Sequence, residues 1–174
     1  MNNVTARILL IMFGGVIVFA AGFLLQRNQH RRGPAPEAPF TIMQGNIDGH
    51  PLFATINIGL RDSHARQSLP HFLSISTALI NPTDEGLPTT ADGENLNVWE
   101  DAVEASLRSA GVRYAYLGRV TWNGNRELLY YLADPNPPAE CLKSLAESHT
   151  TRPFAFTSER DDKWTHADFW LNRK

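Results

Sequence analysis

Cysteine is almost missing from this sequence. Cys141 stands alone among 174 residues, which excludes an intrachain disulfide, a cysteine-rich zinc site and a two-cysteine redox pair. Placed on a predicted helix, it reads as a small packed side chain. His50, His64 and His71 fall on predicted turns and strand starts without the spacing of a helical metal pair. Glu100 and Glu104 stand one helical turn apart, but no histidine joins them and a hard-metal site needs more oxygens, so they read with Asp101 as a solvated acidic face. Ser74 and Ser76 alternate along a predicted strand with no nucleophile-elbow context. There is no phosphate loop and no Gly-rich dinucleotide turn. The expectation is therefore no catalytic residue, no metal and no cofactor.

Negative charge is the next absence. Before Gly33 there is no acidic residue, while Arg7, Arg27, Arg31 and Arg32 all lie there. Residues 33–174 consequently hold 12 basic against 18 acidic side chains. Such a body repels phosphate at long range, so nucleic acid is not an expected partner.

What is present begins with an apolar run, ILLIMFGGVIVFAAGFLL, over residues 8–25. As a helix it covers about 27 Å, just enough to cross a bilayer. Its length favours an uncleaved single-pass anchor over a secretory signal, which wants a shorter apolar core and a small-residue cleavage site. Three arginines follow the run and one precedes it, a bias that favours a cytoplasmic C-terminal body. Residues 1–32 thus read as an anchor with a basic flank. Residues 33–39 (GPAPEAP), with three prolines, read as a stiff extended linker, and residues 40–174 as one folded domain.

Within that domain, β-prone runs at Phe40–Gln44 and Pro51–Ile58 form a hairpin around residues 45–49. His71–Ile80 is the next strand. From Asp92 to Ala110 the apolar period lengthens to three and four residues through Leu96, Trp99, Val103 and Leu107, which is a helix ended by Gly111, with Thr89, Thr90 or Asp92 as its cap. Pro135–Pro138 breaks the chain, Ala139–Ser148 forms a second helix and Pro153–Glu159 a last strand. Asp161–Trp170 is a short terminal helix suited to covering an open edge or end of the sheet. From His71 the order is strand, helix, strand, strand, helix, strand. That is a ferredoxin-like α+β two-layer sandwich, with both helices on one face and an extra N-terminal hairpin.

The most informative stretch is residues 111–132. Two strand-like runs flank Trp122-Asn123-Gly124-Asn125, whose Asn-Gly pair suits the two positive φ angles of a type I′ turn. Counting outward sets Thr121 opposite Arg126, Arg119 opposite Leu128 and Leu117 opposite Tyr130 on one face. On the other, Val120 faces Glu127, Gly118 faces Leu129 and Tyr116 faces Tyr131. Arg119, Thr121, Arg126 and Tyr130 then share a face, where two guanidiniums could grip a carboxylate, a phosphate or an acidic segment of a partner. The plainer reading pairs those arginines with the acidic helix or with Asp134.

Several pieces resemble a bacterial family of unknown function, domain of unknown function 695. They are Asp48-Gly49-His50-Pro51 with Ile56-Asn57, Pro70-His71, Gly86-Leu87-Pro88-Thr89, Glu100-Asp101, Gly118-Arg119-Val120-Thr121 with Asn123-Gly124, Arg126-Glu127, Tyr130-Tyr131, and Asp161 to Trp170 with its Trp164. The resemblance covers Phe40 to Trp170. It implies a link to proteins similar to the B-type regulator of ribonuclease E activity, which bind a partner rather than catalyse, and it implies no activity or cofactor. The functional expectation is a single-pass protein of the bacterial inner membrane whose hairpin face binds a protein partner. The alternatives are an envelope hydrolase using His71 or His64 with Asp84 or Glu85, and a structural module of a membrane complex.

Overall fold

A computed structural model describes residues 39–148 and 152–172. The membrane helix expected over residues 8–25, its basic flank and the linker up to residue 38 lie outside the described residues. No helix among the described residues is long and apolar enough to cross a membrane.

The chain forms β1 (Phe40–Ile47), β2 (His50–Asn57), β3 (His71–Ala78), α1 (Thr90–Ser109), β4 (Tyr114–Trp122), β5 (Asn125–Leu132), α2 (Asn136–Glu147), β6 (Ala155–Arg160) and α3 (Thr165–Leu171). Short 3-10 turns at Ile58–Leu60 and His64–Gln67 link β2 to β3. The strands make one six-stranded sheet in the order β1-β2-β4-β5-β3-β6, antiparallel throughout. The fold is α+β.

Both tight hairpins owe their geometry to two residues with positive φ. Asp48 and Gly49 (φ 52° and 82°) turn β1 into β2, and Asn123 and Gly124 (φ 45° and 76°) turn β4 into β5. The second turn also anchors the loop before α1. Gly124 N–H donates to the Gly86 carbonyl at 2.9 Å, and Leu79 N–H donates to the Gly124 carbonyl at 2.8 Å. A Cβ on Gly86 would sit 3.0 Å from the Asn123 Cα, so glycine is what lets the two backbones touch.

The expected hairpin register holds from the turn to Gly118, with Thr121 opposite Arg126 and Arg119 opposite Leu128. Beyond Gly118 it slips. Leu117 is an extra residue in a β-bulge, so Tyr116 rather than Leu117 faces Tyr130, and Ala115 rather than Tyr116 faces Tyr131. At Gly118 the backbone runs so close to the neighbouring strand that a Cβ would strike the Thr55 carbonyl oxygen. The bulge turns Leu117 into the core on one face and keeps Tyr116 on the other.

α2 begins earlier than its apolar pattern suggested. Pro137 and Pro138 occupy its first turn, where a missing N–H costs nothing, so the prolines start the helix instead of separating it from β5. Thr89 caps α1 by accepting from Asp92 N–H at 3.3 Å.

Two cores sandwich the sheet. On one face Leu96, Trp99, Val103 and Leu107 of α1 and Leu142 of α2 pack on Leu73, Ile75, Leu128, Tyr130 and Leu132. On the other, Trp164, Ala167, Trp170 and Leu171 around α3, with Leu60 and Leu69 from the turn region, pack on Ala54, Ile56, Phe72, Leu117, Leu129 and Tyr131. The domain therefore has three layers where two were expected. The terminal helix covers a face rather than an edge, because Phe72 of β3, Leu117, Val120 and Trp122 of β4, and Leu129 and Tyr131 of β5 make that side apolar too. β5 is buried on both faces along nearly its whole length.

Candidate functional site

Alternation along β4 and β5 brings Arg119, Thr121, Arg126 and Tyr130 to the α1 face, as the side-chain period of two requires. What lies above them is Glu100. It points down from the apolar stripe of α1, one position beyond Trp99 and three before Val103, and only 8% of it is exposed. Arg119 Nη1 donates to Glu100 Oε2 at 2.9 Å, and Arg126 Nη1 donates to Glu100 Oε1 at 3.0 Å. One carboxylate serves two guanidiniums, so the trio keeps one positive charge.

The two arginines differ in setting. Arg126 is 9% exposed, and its Nε has no acceptor among the described residues. Burial pulls its guanidinium below the ordinary value, against the opposing pull of Glu100, and Arg119 and Arg152 add to the lowering. The Arg119 side chain is 26% exposed, and it stands at a border. On one side of it the row across the sheet continues to Leu128 and Ile75 beneath the helices; on the other it runs to Thr55 of β2 and Ile42 of β1. Neither β1 nor β2 contributes to the core under α1 and α2. That half of the face is an open shelf with Phe40 49% and Ile42 37% exposed, and with Phe53, Thr55 and Tyr116 half-buried.

Tyr130 is 3% exposed and packs between Tyr114 and Tyr116, at ring-centroid distances of 5.5 Å and 5.0 Å. Burial, with Tyr116 next, pushes its phenol well above the ordinary value, so it stays neutral. Thr121 is 5% exposed. Of the four candidate residues, Arg119 alone reaches solvent to any extent. A second ion pair continues the network: Arg152 Nη1 donates to Asp92 Oδ1 at 2.9 Å, Arg152 Nε donates to Thr77 Oγ1 at 3.1 Å, and Asp92 Oδ2 accepts from Ile80 N–H at 2.7 Å.

The opposite face holds a constellation for which the sequence reading assigned no role. Asp161 accepts from Tyr131 O–H at 2.7 Å and from the backbone N–H groups of Thr165 and His166 at 2.9 Å and 3.1 Å. Burial alone would raise its pKa, but these three donors hold it below the usual carboxylate range. Tyr131, pushed upward by burial and then by its bond to Asp161, stays a phenol and accepts from Ala167 N–H at 3.1 Å. Trp164, left-handed at φ 58°, stacks on Tyr131 with ring centroids 4.0 Å apart and donates from Nε1 to the Leu69 carbonyl at 2.9 Å. Phe72 stacks on His166 at 4.2 Å, and His166 Nε2 is 2.7 Å from Glu159 Oε1. The readable signal was an acid four residues ahead of a threonine that opens a short helix: Asp161 supplies the N-terminal cap that Trp164, at the cap position, lacks. Glu127, also on this side, is fully buried and accepts from Ser74 O–H.

The histidine–carboxylate combinations do not come together. His64 and His71 lie before or at the start of β3, whereas Asp84 and Glu85 follow its far end beside the Asn123-Gly124 turn. An eight-residue strand, roughly 20 Å or more, separates them. No group of three or more metal-ligating side chains occurs among the described residues.

A twisted antiparallel sheet with helices on both faces, buried ion pairs under one and a hydrogen-bonded aromatic knot under the other, defines a small α+β domain. The chain belongs to the family of unknown function DUF695, whose model matches residues 40–171. The match concerns that family alone and carries no link to regulators of ribonuclease E activity. Comparisons with curated proteins and with solved structures give no match.

Proposed function

We propose that the chain is a non-catalytic binding or regulatory module, tethered to the bacterial inner membrane by residues 8–25 with its body on the cytoplasmic side, that engages an acidic segment of a partner protein at Arg119. The strand order β6-β3-β5-β4, extended by the β1–β2 hairpin, supports reading its body as a ferredoxin-like domain. The observation that carries the binding proposal is the position of Arg119. It shares Glu100 with Arg126, has a side chain 26% exposed, and opens onto the shelf of Phe40, Ile42, Phe53 and Tyr116. A guanidinium held by a buried carboxylate is preorganised, so less side-chain entropy is lost when a partner carboxylate binds it. The apolar shelf supplies the contact area that a lone ion pair at a surface does not.

The test is crosslinking of the intact chain in its native membrane, followed by identification of what is captured. Arg119→Gln should reduce capture of the partner about tenfold, the size of one charge-assisted contact, while the circular dichroism spectrum is unchanged. Equal capture by the variant and the parent would sink the proposal.

A further inference from the structure

We infer that the chain forms a twofold dimer in which β1 pairs antiparallel with β1 of a second copy, Ile42 lying at the axis. The two edges of the sheet are built differently. β6 has six residues and ends in Glu159 and Arg160, which hold ion pairs with His166 and Asp162. Charges of that kind guard an edge against pairing with another chain. β1 (FTIMQGNI) has eight residues, pairs with β2 without interruption from Phe40 opposite Asn57 to Ile47 opposite His50, and contains no charged residue and no proline. Among the described residues no strand lies against its outer edge.

The occupant follows from what β1 presents. Residues 33–174 carry an excess of acidic side chains, so two copies repel each other wherever charged surfaces meet. The neutral β1 edge is where that repulsion is least. A twofold axis normal to the sheet keeps equivalent faces on the same side, so an axis through Ile42 sets Ile42 against Ile42 and Phe40 against Gln44. The shelves of the two copies then run together into one apolar strip containing both Phe40 and both Phe53 side chains. An axis one residue further on would set Ile42 against Gln44 and Phe40 against Asn46, apolar against amide, which is the poorer match. A single strand pair with this strip is a small interface, consistent with dissociation in the range of about 1–100 μM. The inference shares Phe40, Ile42 and Phe53 with the surface proposed beside Arg119 but stands on a different observation, the neutral outer edge of β1, and self-association reads it without any other partner.

The experiment uses the full chain in mild detergent. Sedimentation across about 1–500 μM should show a monomer–dimer equilibrium, and Ile42→Lys, which sets two ammonium groups against each other at the axis, should weaken the dimer at least tenfold with the circular dichroism spectrum unchanged. In a Cys141→Ser background, Ile42→Cys should oxidise to a covalent dimer, because directly opposed strand residues lie within disulfide reach. Thr157→Cys on β6 should not. A chain that stays monomeric throughout, a dimer insensitive to Ile42→Lys, or crosslinking through Thr157→Cys as efficient as through Ile42→Cys would each overturn the inference. If Ile42→Lys misfolds, the cysteine pair decides.

Discussion

The two faces of the sheet bury polar groups by opposite means. Under α1, Glu100 meets two guanidiniums, and full charges face one another across a helix–sheet interface. Under α3, Asp161 is a lone carboxylate held by a phenol and two backbone amides, with no cation bonded to it in that knot. Ion pairs in an interior recover little more than their desolvation cost, so the first arrangement fixes position more than it stabilises. The second satisfies a single charge with donors that would otherwise be orphaned at a helix start, so it docks α3 as well as capping it. One face is thus suited to presenting a charge at its border, and the other to closing the domain.

Truncating the aromatic knot should have the largest effect. Trp164→Ala removes a fully buried ring and its bond to Leu69, and is expected to lower unfolding free energy by about 3–5 kcal/mol in urea titration. Next is Glu100→Gln, which strips both arginines of their counter-charge; a loss of about 3 kcal/mol is expected. Were Glu100→Gln to exceed Trp164→Ala, the contrast between a positioning face and a closing face would be reversed.

Acid sharpens the same contrast. Because the folded-state pKa of Asp161 lies below its ordinary value near 3.8, its contribution is fully present above that value and is lost as pH falls through the lower folded-state value. Asp161→Asn should therefore flatten the fall of urea stability below about pH 4. Smallest in stability is Arg119→Gln, expected to cost under about 1 kcal/mol because its side chain is partly solvated and Arg126 still pairs with Glu100. Its consequence belongs to partner capture instead.

Much of this architecture was legible in the sequence. The Asn-Gly turn and strict alternation placed Arg119, Thr121 and Arg126 on one face, and the three-and-four spacing gave α1 to within two residues of either end. The register failed at Leu117 because a bulge adds a residue without altering the apolar pattern locally; only the close approach of Gly118 to β2, a tertiary contact, demands it. The plainer reading of the two arginines, that they pair with the acidic helix, is what Glu100 makes of them; Glu100 itself was read with Asp101 and Glu104 as a solvated face, although Asp92, Leu96, Glu100, Val103 and Leu107 follow one another at helical spacing. Two acids on that stripe meant buried partners. Alternation tells which side chains share a face of a sheet; it is silent about the element that settles on top. The same silence hid the second helical layer, since a seven-residue helix leaves too short a period to orient.

The contact between Gly86 and the tip of the β4–β5 hairpin makes the two segments share backbone hydrogen bonds, so a change that opens the Asn123-Gly124 reversal is felt in the connection entering α1 as well.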